Sequence, residues 1–286
     1  MIPPTCPVHL PCDLTSALNA LREATATSRV LAGGTDLMVE FESGRTRPDL
    51  VVDVWQIDEL RGITAEDGGV RIGALTTCAE LVRDPLTTDI LAEAAWTVGA
   101  AQIRARATIG GNLGTASPAA DLTPVLLALD ATVHLVAADS SRDVSARDFL
   151  VGYRETARRP QELIHSVFVP QRATRERRGF RKVGTRNAQA ISKVVLALAA
   201  TSDGVGTVTE LRAAAGSIAE KTIELPSVAA TLVGLQPTDR LLRAAARCGR
   251  DDCRAIDDVR STASYRHNVA ERLLYTLLHA ITDTPA

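Results

Sequence analysis

The sequence predicts an α+β protein of two domains, with a boundary after residue 171. Its 286 residues are 45% hydrophobic, which is enough chain for two domains that each bury a core. Short apolar runs that stop at glycine or proline alternate with stretches of helical spacing. A basic stretch over residues 172–182 follows the strand pattern that Pro170 closes, and it separates the two domains.

The first fifty or so residues predict a small α/β unit with local connections. Asp13 is a typical N-cap, and an apolar run that stops at Gly33 and Gly34 is typical of a strand followed by a tight turn. The predicted elements are a helix over residues 14–23, strands over residues 30–32 and 50–54, and a helix from Leu37. This unit is too small to form a whole binding site.

The rest of the chain alternates in the same way on both sides of the boundary. Before it we expect strands over residues 69–73, 132–136 and 163–169, and helices from Thr77 or Cys78, over residues 90–98 and over residues 122–129. After it we expect an apolar run over residues 191–200, a strand over residues 205–211, and helices near residues 227–233, 238–248 and 268–281. The second part is therefore predicted to be an α+β domain.

The composition excludes several classes of protein. A formal net charge of -2 argues against nucleic acid as a partner, and the five histidines show no metal-ligand spacing. Five cysteines without a C-x-x-C pair favour a reducing cytoplasm over a disulfide framework or a zinc site. The sequence shows neither a long apolar span nor a signal peptide, which predicts a soluble protein without a membrane segment. Aromatic residues make up only 3%, so backbone and aliphatic groups must hold any flat ring.

Two glycine-rich loops carry the main chemical signal. They are Ala32-Gly33-Gly34-Thr35-Asp36 and Thr108-Ile109-Gly110-Gly111-Asn112. Backbone amides at a Gly-Gly turn can approach a diphosphate closely because no Cβ intervenes, and a helix after the turn adds the favourable end of its dipole. One such pair is usually only a turn, but two pairs flanked by hydroxyl or amide donors favour a diphosphate ligand. The chain lacks the P-loop and G-x-G-x-x-G patterns, so ATP and an ordinary Rossmann NAD site are not supported.

Further motifs, in order along the chain, resemble those of one family. They lie at residues 31–37, 72–77, 102–113, 117–121 and 180–194. Essentially the whole chain resembles the FAD-binding medium subunit of molybdenum hydroxylases, a family that includes the flavoprotein subunits of xanthine dehydrogenase and carbon monoxide dehydrogenase. The resemblance implies a PCMH-type FAD-binding fold of two α/β subdomains, over about residues 1–56 and 57–171, followed by a smaller α+β C-terminal domain over residues 172–286.

The resemblance also implies which residues bind FAD. It assigns the pyrophosphate and the neighbouring ribityl and ribose groups to Val30, Leu31, Ala32, Gly33, Gly34, Thr35, Asp36, Leu37, Thr108, Ile109, Gly110, Gly111 and Asn112. It further implies that Asp121 bonds the cofactor, that Ile164 lies beside the flavin, and that Lys182 lies near the polar edge of the ring. A cation there would stabilise negative charge on the reduced flavin. Val98 falls where some relatives have an aromatic residue against the isoalloxazine.

Two of these residues also have simpler interpretations. Asp121 precedes an apolar helix with Pro124 in its first turn, so it is also a good helix N-cap. Lys182 ends a run of arginines, and such a charge run usually forms a solvated face. The motif match distinguishes only Lys182 and Arg186 from that run.

The resemblance implies an electron-transfer role. A large molybdopterin-binding partner would hydroxylate the substrate, and two [2Fe-2S] clusters on a small partner would pass electrons to FAD here and on to NAD or another acceptor. The chain itself offers no cysteine cluster for iron–sulfur ligation. The motifs at residues 33–40 and 180–194 resemble xanthine dehydrogenase flavoproteins more than those for carbon monoxide. Two alternatives stay open: a stand-alone FAD-dependent oxidoreductase acting directly on a small molecule, and a flavin-free scaffold.

Overall fold

The computed structural model describes residues 6–171, 176–186 and 188–282. Helices and strands are mixed along the chain and form three larger sheets, in agreement with the predicted α+β class. The predicted domain boundary falls after residue 171, and the residues directly beyond it lie outside the described ranges. Within those ranges, no helix combines the length and apolar character needed to cross a bilayer.

The N-terminal unit is a three-stranded parallel sheet with two helices. Its elements are β1 (Val8–His9), α1 (Leu14–Ala20), β2 (Arg29–Leu31), α2 (Leu37–Glu42) and β3 (Val51–Asp53). The strand order is β1-β3-β2, so β3 lies at the centre and buries Val51 and Val52 completely. Asp13 caps α1 as predicted, since its carboxylate accepts a hydrogen bond from the Ser16 amide at 2.7 Å.

The second unit packs helices against a five-stranded antiparallel sheet, with β10 at its centre. Its elements are β4 (Ile63–Glu66), β5 (Gly69–Gly73), α3 (Cys78–Arg83), α4 (Asp89–Trp96), α5 (Ala101–Arg104), α6 (Ile109–Thr115), α7 (Thr123–Ala128), β6 (Thr132–Ala137), β7 (Ser140–Ser145), α8 (Ala146–Phe149), β8 (Leu150–Gly152), β9 (Glu155–Thr156) and β10 (Leu163–Pro170). The sheet order is β4-β5-β10-β6-β7, while β8 and β9 form a separate hairpin. The sequence pattern missed β7 because this edge strand is mostly polar.

The helix after Asp121 corrects one interpretation. Leu122 occupies the N-cap position of α7, and the cap makes no side-chain hydrogen bond. The N-cap interpretation of Asp121 is therefore wrong, because its carboxylate bonds Lys182 instead. Helix α4 also ends earlier than predicted, at Trp96, so Val98 lies in the connection after it.

The C-terminal unit is a four-stranded antiparallel sheet with three helices. Its elements are β11 (Glu176–Val183), β12 (Val194–Ser202), β13 (Val208–Gly216), β14 (Ile223–Glu224), α9 (Pro226–Leu232), α10 (Asp239–Asp252) and α11 (Ala263–Thr282). The arginine-rich stretch is a strand within the described residues, where it forms β11. Strand β13 begins at Val208 because Asp203 holds a turn before it, accepting bonds from the amides of Val205 and Thr207. Helix α11 begins earlier than predicted, at Ala263.

Strand β12 explains how the C-terminal sheet joins the second unit. Val195 and Ala197 belong to the core that α7 shares, whereas Leu196 and Leu198 pack with the C-terminal helices. A strand buried on both faces has a continuous apolar sequence. Residues 194–200 of the predicted apolar run therefore contact two layers, whereas Ile191 is exposed before the strand. The C-terminal unit and the second unit share a core along this strand.

Candidate functional site

A cavity of about 880 Å³ opens where the N-terminal unit meets the second unit. This volume is within the range of small-molecule and cofactor sites, about 300–1,000 Å³. Most of the sequence-predicted site residues line it: Val30, Ala32, Gly33, Gly34, Thr35, Asp36, Leu37, Val98, Thr108, Gly110, Gly111, Asn112, Asp121 and Ile164. Three do not. Leu31 and Ile109 are buried in the cores, and Lys182 lines a smaller neighbouring cavity.

The first glycine loop leaves its amides free for a ligand. It connects β2 to α2, and Gly34 has φ +77°, a conformation that glycine adopts without strain. Among the described residues, the amides of Gly33, Gly34, Thr35 and Asp36 donate to no protein acceptor. Free amides on a loop that lines a cavity suit an anionic group.

The second glycine loop differs, because the amides of Ile109 to Asn112 already donate to protein acceptors. Ile109 donates to the Thr76 carbonyl and Gly110 to the Ala74 carbonyl, at 3.0 and 2.9 Å. The amides of Gly111 and Asn112 bond Thr108, which caps α6. This loop therefore offers side chains and space to a ligand, and the amide donors come from the first loop. The sequence pattern treated the two loops as equivalent.

Close contacts explain why both loops need glycine. A Cβ on Gly33 would lie 1.7 Å from the carbonyl oxygen of Arg106, and one on Gly110 would lie 2.7 Å from the Ala74 Cβ. The guanidinium of Arg106 also donates to the Gly33 carbonyl at 3.3 Å. Gly33 thus allows the first glycine loop to pack directly against the backbone of Arg106, two residues before the second loop.

Two buried oxygen atoms in residues that line this cavity lack partners. Within the described residues, Asn112 Oδ1 and Asp121 Oδ1 are buried and accept no hydrogen bond. Both residues line the cavity, and buried polar atoms are normally satisfied. FAD carries hydroxyl and N–H donors for such oxygens as well as a diphosphate for free amides. The donor set therefore fits FAD.

Asp121 forms a buried ion pair with Lys182. The Lys182 Nζ lies 2.6 Å from Asp121 Oδ2 and also donates to the Thr97 carbonyl at 3.0 Å. The side chain of Lys182 is only 8% exposed and that of Asp121 only 11%. Burial raises the pKa of Asp121 to about 6, although Lys182 acts in the opposite direction. The pair joins β11 of the C-terminal unit to the cavity wall.

Hydroxyl groups of the C-terminal unit hold the segment before Asp121. Ser192 Oγ donates to the Ala119 carbonyl at 3.1 Å and lies 2.7 Å from Ser217 Oγ. The Ser217 amide donates to the Pro118 carbonyl at 2.7 Å. Asp121 is thus positioned by β11 through Lys182 and by the loops that flank β12 and β13.

Sequence reasoning missed several residues that line the cavity. Arg29, Tyr153, Arg154 and Arg158 have no motif around them, and only the fold brings them to the cavity. Gly114 had a sequence signal, because it follows Gly110 and Gly111 on the short helix α6. A Cβ at Gly114 would lie 3.5 Å from the Cδ1 of Ile164, which is an ordinary contact.

We expect Gly114→Val to lower FAD affinity at least tenfold without unfolding the protein. The backbone has room for a Cβ, but a larger side chain occupies space that the ligand needs. FAD titration and thermal unfolding of the same sample separate these effects, with Gly114→Ala as the milder control. Unchanged affinity in Gly114→Val would contradict a ligand in this part of the cavity.

Comparisons with known proteins agree with this geometry. Residues 4–172 match the FAD binding domain in molybdopterin dehydrogenase, and residues 179–281 match the CO dehydrogenase flavoprotein C-terminal domain. The xanthine dehydrogenase FAD-binding subunit of Escherichia coli O157:H7 is 32% identical over 75% of each chain. The nicotinate dehydrogenase FAD-subunit of Eubacterium barkeri is 29% identical over 89% of this chain and 88% of its own.

A solved structure matches the complete fold. It is carbon monoxide dehydrogenase from Hydrogenophaga pseudoflava lacking the Mo-pyranopterin moiety, with 28% identity, a TM-score of 0.94 and 100% coverage of both chains. The fold and the matched domains define a FAD-dependent oxidoreductase subunit. The chain belongs to the family of FAD-binding medium subunits of molybdenum hydroxylases, and FAD is its cofactor.

Proposed function

We propose that this chain is the electron-transfer subunit of a xanthine dehydrogenase-like complex. A large molybdopterin-binding partner hydroxylates the substrate, and a small partner with [2Fe-2S] clusters delivers the electrons to FAD here. NAD or another acceptor then removes them. The described cysteines are all free thiols, which suits a reducing cytoplasm.

The subunit role is supported by the relatives that the chain matches along most of its length. They are named as a FAD-subunit or a FAD-binding subunit, and the carbon monoxide dehydrogenase chain is covered completely. FAD, when bound, supplies one-electron and hydride chemistry, which suits an exchange between iron–sulfur clusters and NAD. The identity to the xanthine dehydrogenase subunit supports the comparison with a xanthine dehydrogenase-like complex.

Within the cavity, we place the FAD pyrophosphate against the first glycine loop. The free amides of residues 33–36 support this position, since each can donate to a phosphate oxygen. Asn112 and Asp121 accept hydrogen bonds from the cofactor, while Val98 and Ile164 contact the flavin ring. Lys182 holds Asp121 in place and puts a positive charge near the ring.

We expect the purified chain to show flavin absorption bands that NADH bleaches under anaerobic conditions. NADH reverses the proposed transfer and needs no partner subunit, and dithionite gives the fully reduced spectrum for reference. Bleaching by a small organic substrate without partners would instead support a stand-alone oxidoreductase. A colourless protein that takes up no FAD would contradict the proposed function.

A further inference from the structure

The hairpin β8–β9 crosses from the second unit to the first glycine loop. Its turn residues Tyr153 and Arg154, together with Glu155 and Thr156, line the cavity. Arg154 has φ +54°, a left-handed conformation that is uncommon for a residue with a side chain. Its amide donates to the Ala116 carbonyl, just after α6, at 3.2 Å. The hairpin therefore presents one arginine at a fixed place beside the loop.

That arginine pairs with two carboxylates of the N-terminal unit. Its guanidinium donates to both oxygens of Asp36, at 3.0 and 3.3 Å, and to Glu40. Asp36 ends the first glycine loop and Glu40 lies one turn further along α2, and both line the cavity. The side chains of Arg154 and Glu40 are 28% and 16% exposed and that of Asp36 is 42% exposed, so water screens the Glu40 pair less than the Asp36 pair.

These carboxylates lie beside the first glycine loop, where the proposed function puts the FAD diphosphate. Like charges repel, and unpaired carboxylates beside the loop would oppose an anionic ligand. A bidentate arginine cancels one of the two negative charges while it fixes the loop. Asp36, which the sequence assigned to FAD, is therefore already engaged with a protein cation.

We propose that Arg154 is a positioning residue for FAD: it offsets part of the negative charge of Asp36 and Glu40 and thereby lets the first glycine loop accept the diphosphate. The inference rests on the proposed position of the diphosphate. On this account Arg154 acts through the two carboxylates and makes no required contact with the cofactor.

The test compares four forms of the full chain: wild type, Arg154→Met, Asp36→Asn/Glu40→Gln, and the triple variant. We expect Arg154→Met to weaken FAD and ADP binding at least tenfold, by a similar factor for both ligands, and more at 50 mM than at 300 mM salt. The triple variant should recover most of the loss because it removes the repelling charges. The double variant should bind FAD at least as tightly as wild type.

Other orders of affinity would overturn the inference. Equal losses in Arg154→Met and the triple variant would mean that Arg154 contacts the cofactor directly or only supports the hairpin. A loss in the double variant would mean that the carboxylates themselves hold FAD. Arg159→Met, at an exposed neighbouring arginine, is the matched control and should leave affinity unchanged.

A parallel Gly33→Ala variant separates this inference from the position of the diphosphate. If Gly33→Ala loses FAD while Arg154→Met keeps it, only the role of Arg154 is overturned. If both variants keep wild-type affinity, the diphosphate does not lie on the first loop.

Discussion

Replacing Lys182 with methionine is expected to destabilise the protein by about 3–5 kcal/mol at pH 8, because it leaves Asp121 buried without its cation. The side chains of Lys182 and Asp121 are among the least exposed charged groups that the structure describes, and Lys182 Nζ lies 2.6 Å from Asp121 Oδ2. Chemical denaturation of the apoprotein gives the free energy of unfolding. This is the largest stability change that we expect from a single substitution at the site.

The loss of stability in Lys182→Met should be larger at high pH than at low pH. Burial raises the pKa of Asp121 to about 6, above the value near 4 of an unfolded aspartate, so folding favours the protonated carboxyl. The stability that the protonated Asp121 carboxyl contributes is therefore present at low pH and falls as pH rises from about 4 to 6. Without Lys182 the pKa of Asp121 rises further, so the decrease in stability continues above pH 6. The variant should lie closer to wild type at pH 5.5 than at pH 8.

Two further variants make this prediction specific. Adding Asp121→Asn to Lys182→Met removes the unpaired charge and should restore most of the lost stability at pH 8. Lys193→Met is the control, because that ammonium lies 5.1 Å from the ring centroid of Tyr265 and should cost no more than about 1 kcal/mol. A pH-independent loss in Lys182→Met would show that packing, and not the buried charge, causes the effect.

Gly33→Ala should lower FAD affinity at least a hundredfold. The added methyl would lie 1.7 Å from the Arg106 carbonyl oxygen, a separation that no real contact shows, so the first glycine loop must move away from the backbone of Arg106. The free amides of the first loop then lose their position relative to Asn112 and Asp121. Titration of the apoprotein with FAD measures the loss, and thermal unfolding checks that the variant is folded.

Gly44→Ala is the matched control for this substitution. Gly44 lies just after α2 with φ +67°, and nothing lies within 4 Å of the place its Cβ would take. We expect a stability cost of about 1 kcal/mol from the left-handed backbone and no change in FAD affinity. Wild-type affinity in a folded Gly33→Ala protein would show that FAD binding does not depend on the close packing of the first glycine loop against Arg106.

Local patterns predicted the class of fold and the two glycine loops, and the family resemblance supplied the other predicted residues that line the cavity. Glycine turns, the Asp13 cap and the apolar run of β12 each act within a few residues. The sequence could not distinguish the two glycine loops, since the partners of the Ile109 and Gly110 amides lie more than thirty residues away. The position of the domain boundary and the role of each site residue in binding FAD stay predictions.

Ion pairs between residues far apart in the sequence explain the other differences between the prediction and the structure. The sequence predicted Asp121 as a helix N-cap because the residues that follow it form a helix. Its carboxylate is instead paired with Lys182, which comes from another unit of the fold. Arg154 had no motif, and its carboxylate partners lie more than a hundred residues earlier in the chain. Such pairs depend on tertiary contacts and leave no periodic trace in the sequence.

The bonds that hold Pro118, Ala119 and Asp121 have a consequence for how the protein is made. Their partners Lys182, Ser192 and Ser217 are all translated after the glycine loops. A nascent chain that ends near residue 171 has both loops but none of these partners, so Asp121 is not yet fixed. The wall of the cavity around Asp121 is therefore complete only after the C-terminal unit has been made, although both glycine loops precede it in the chain.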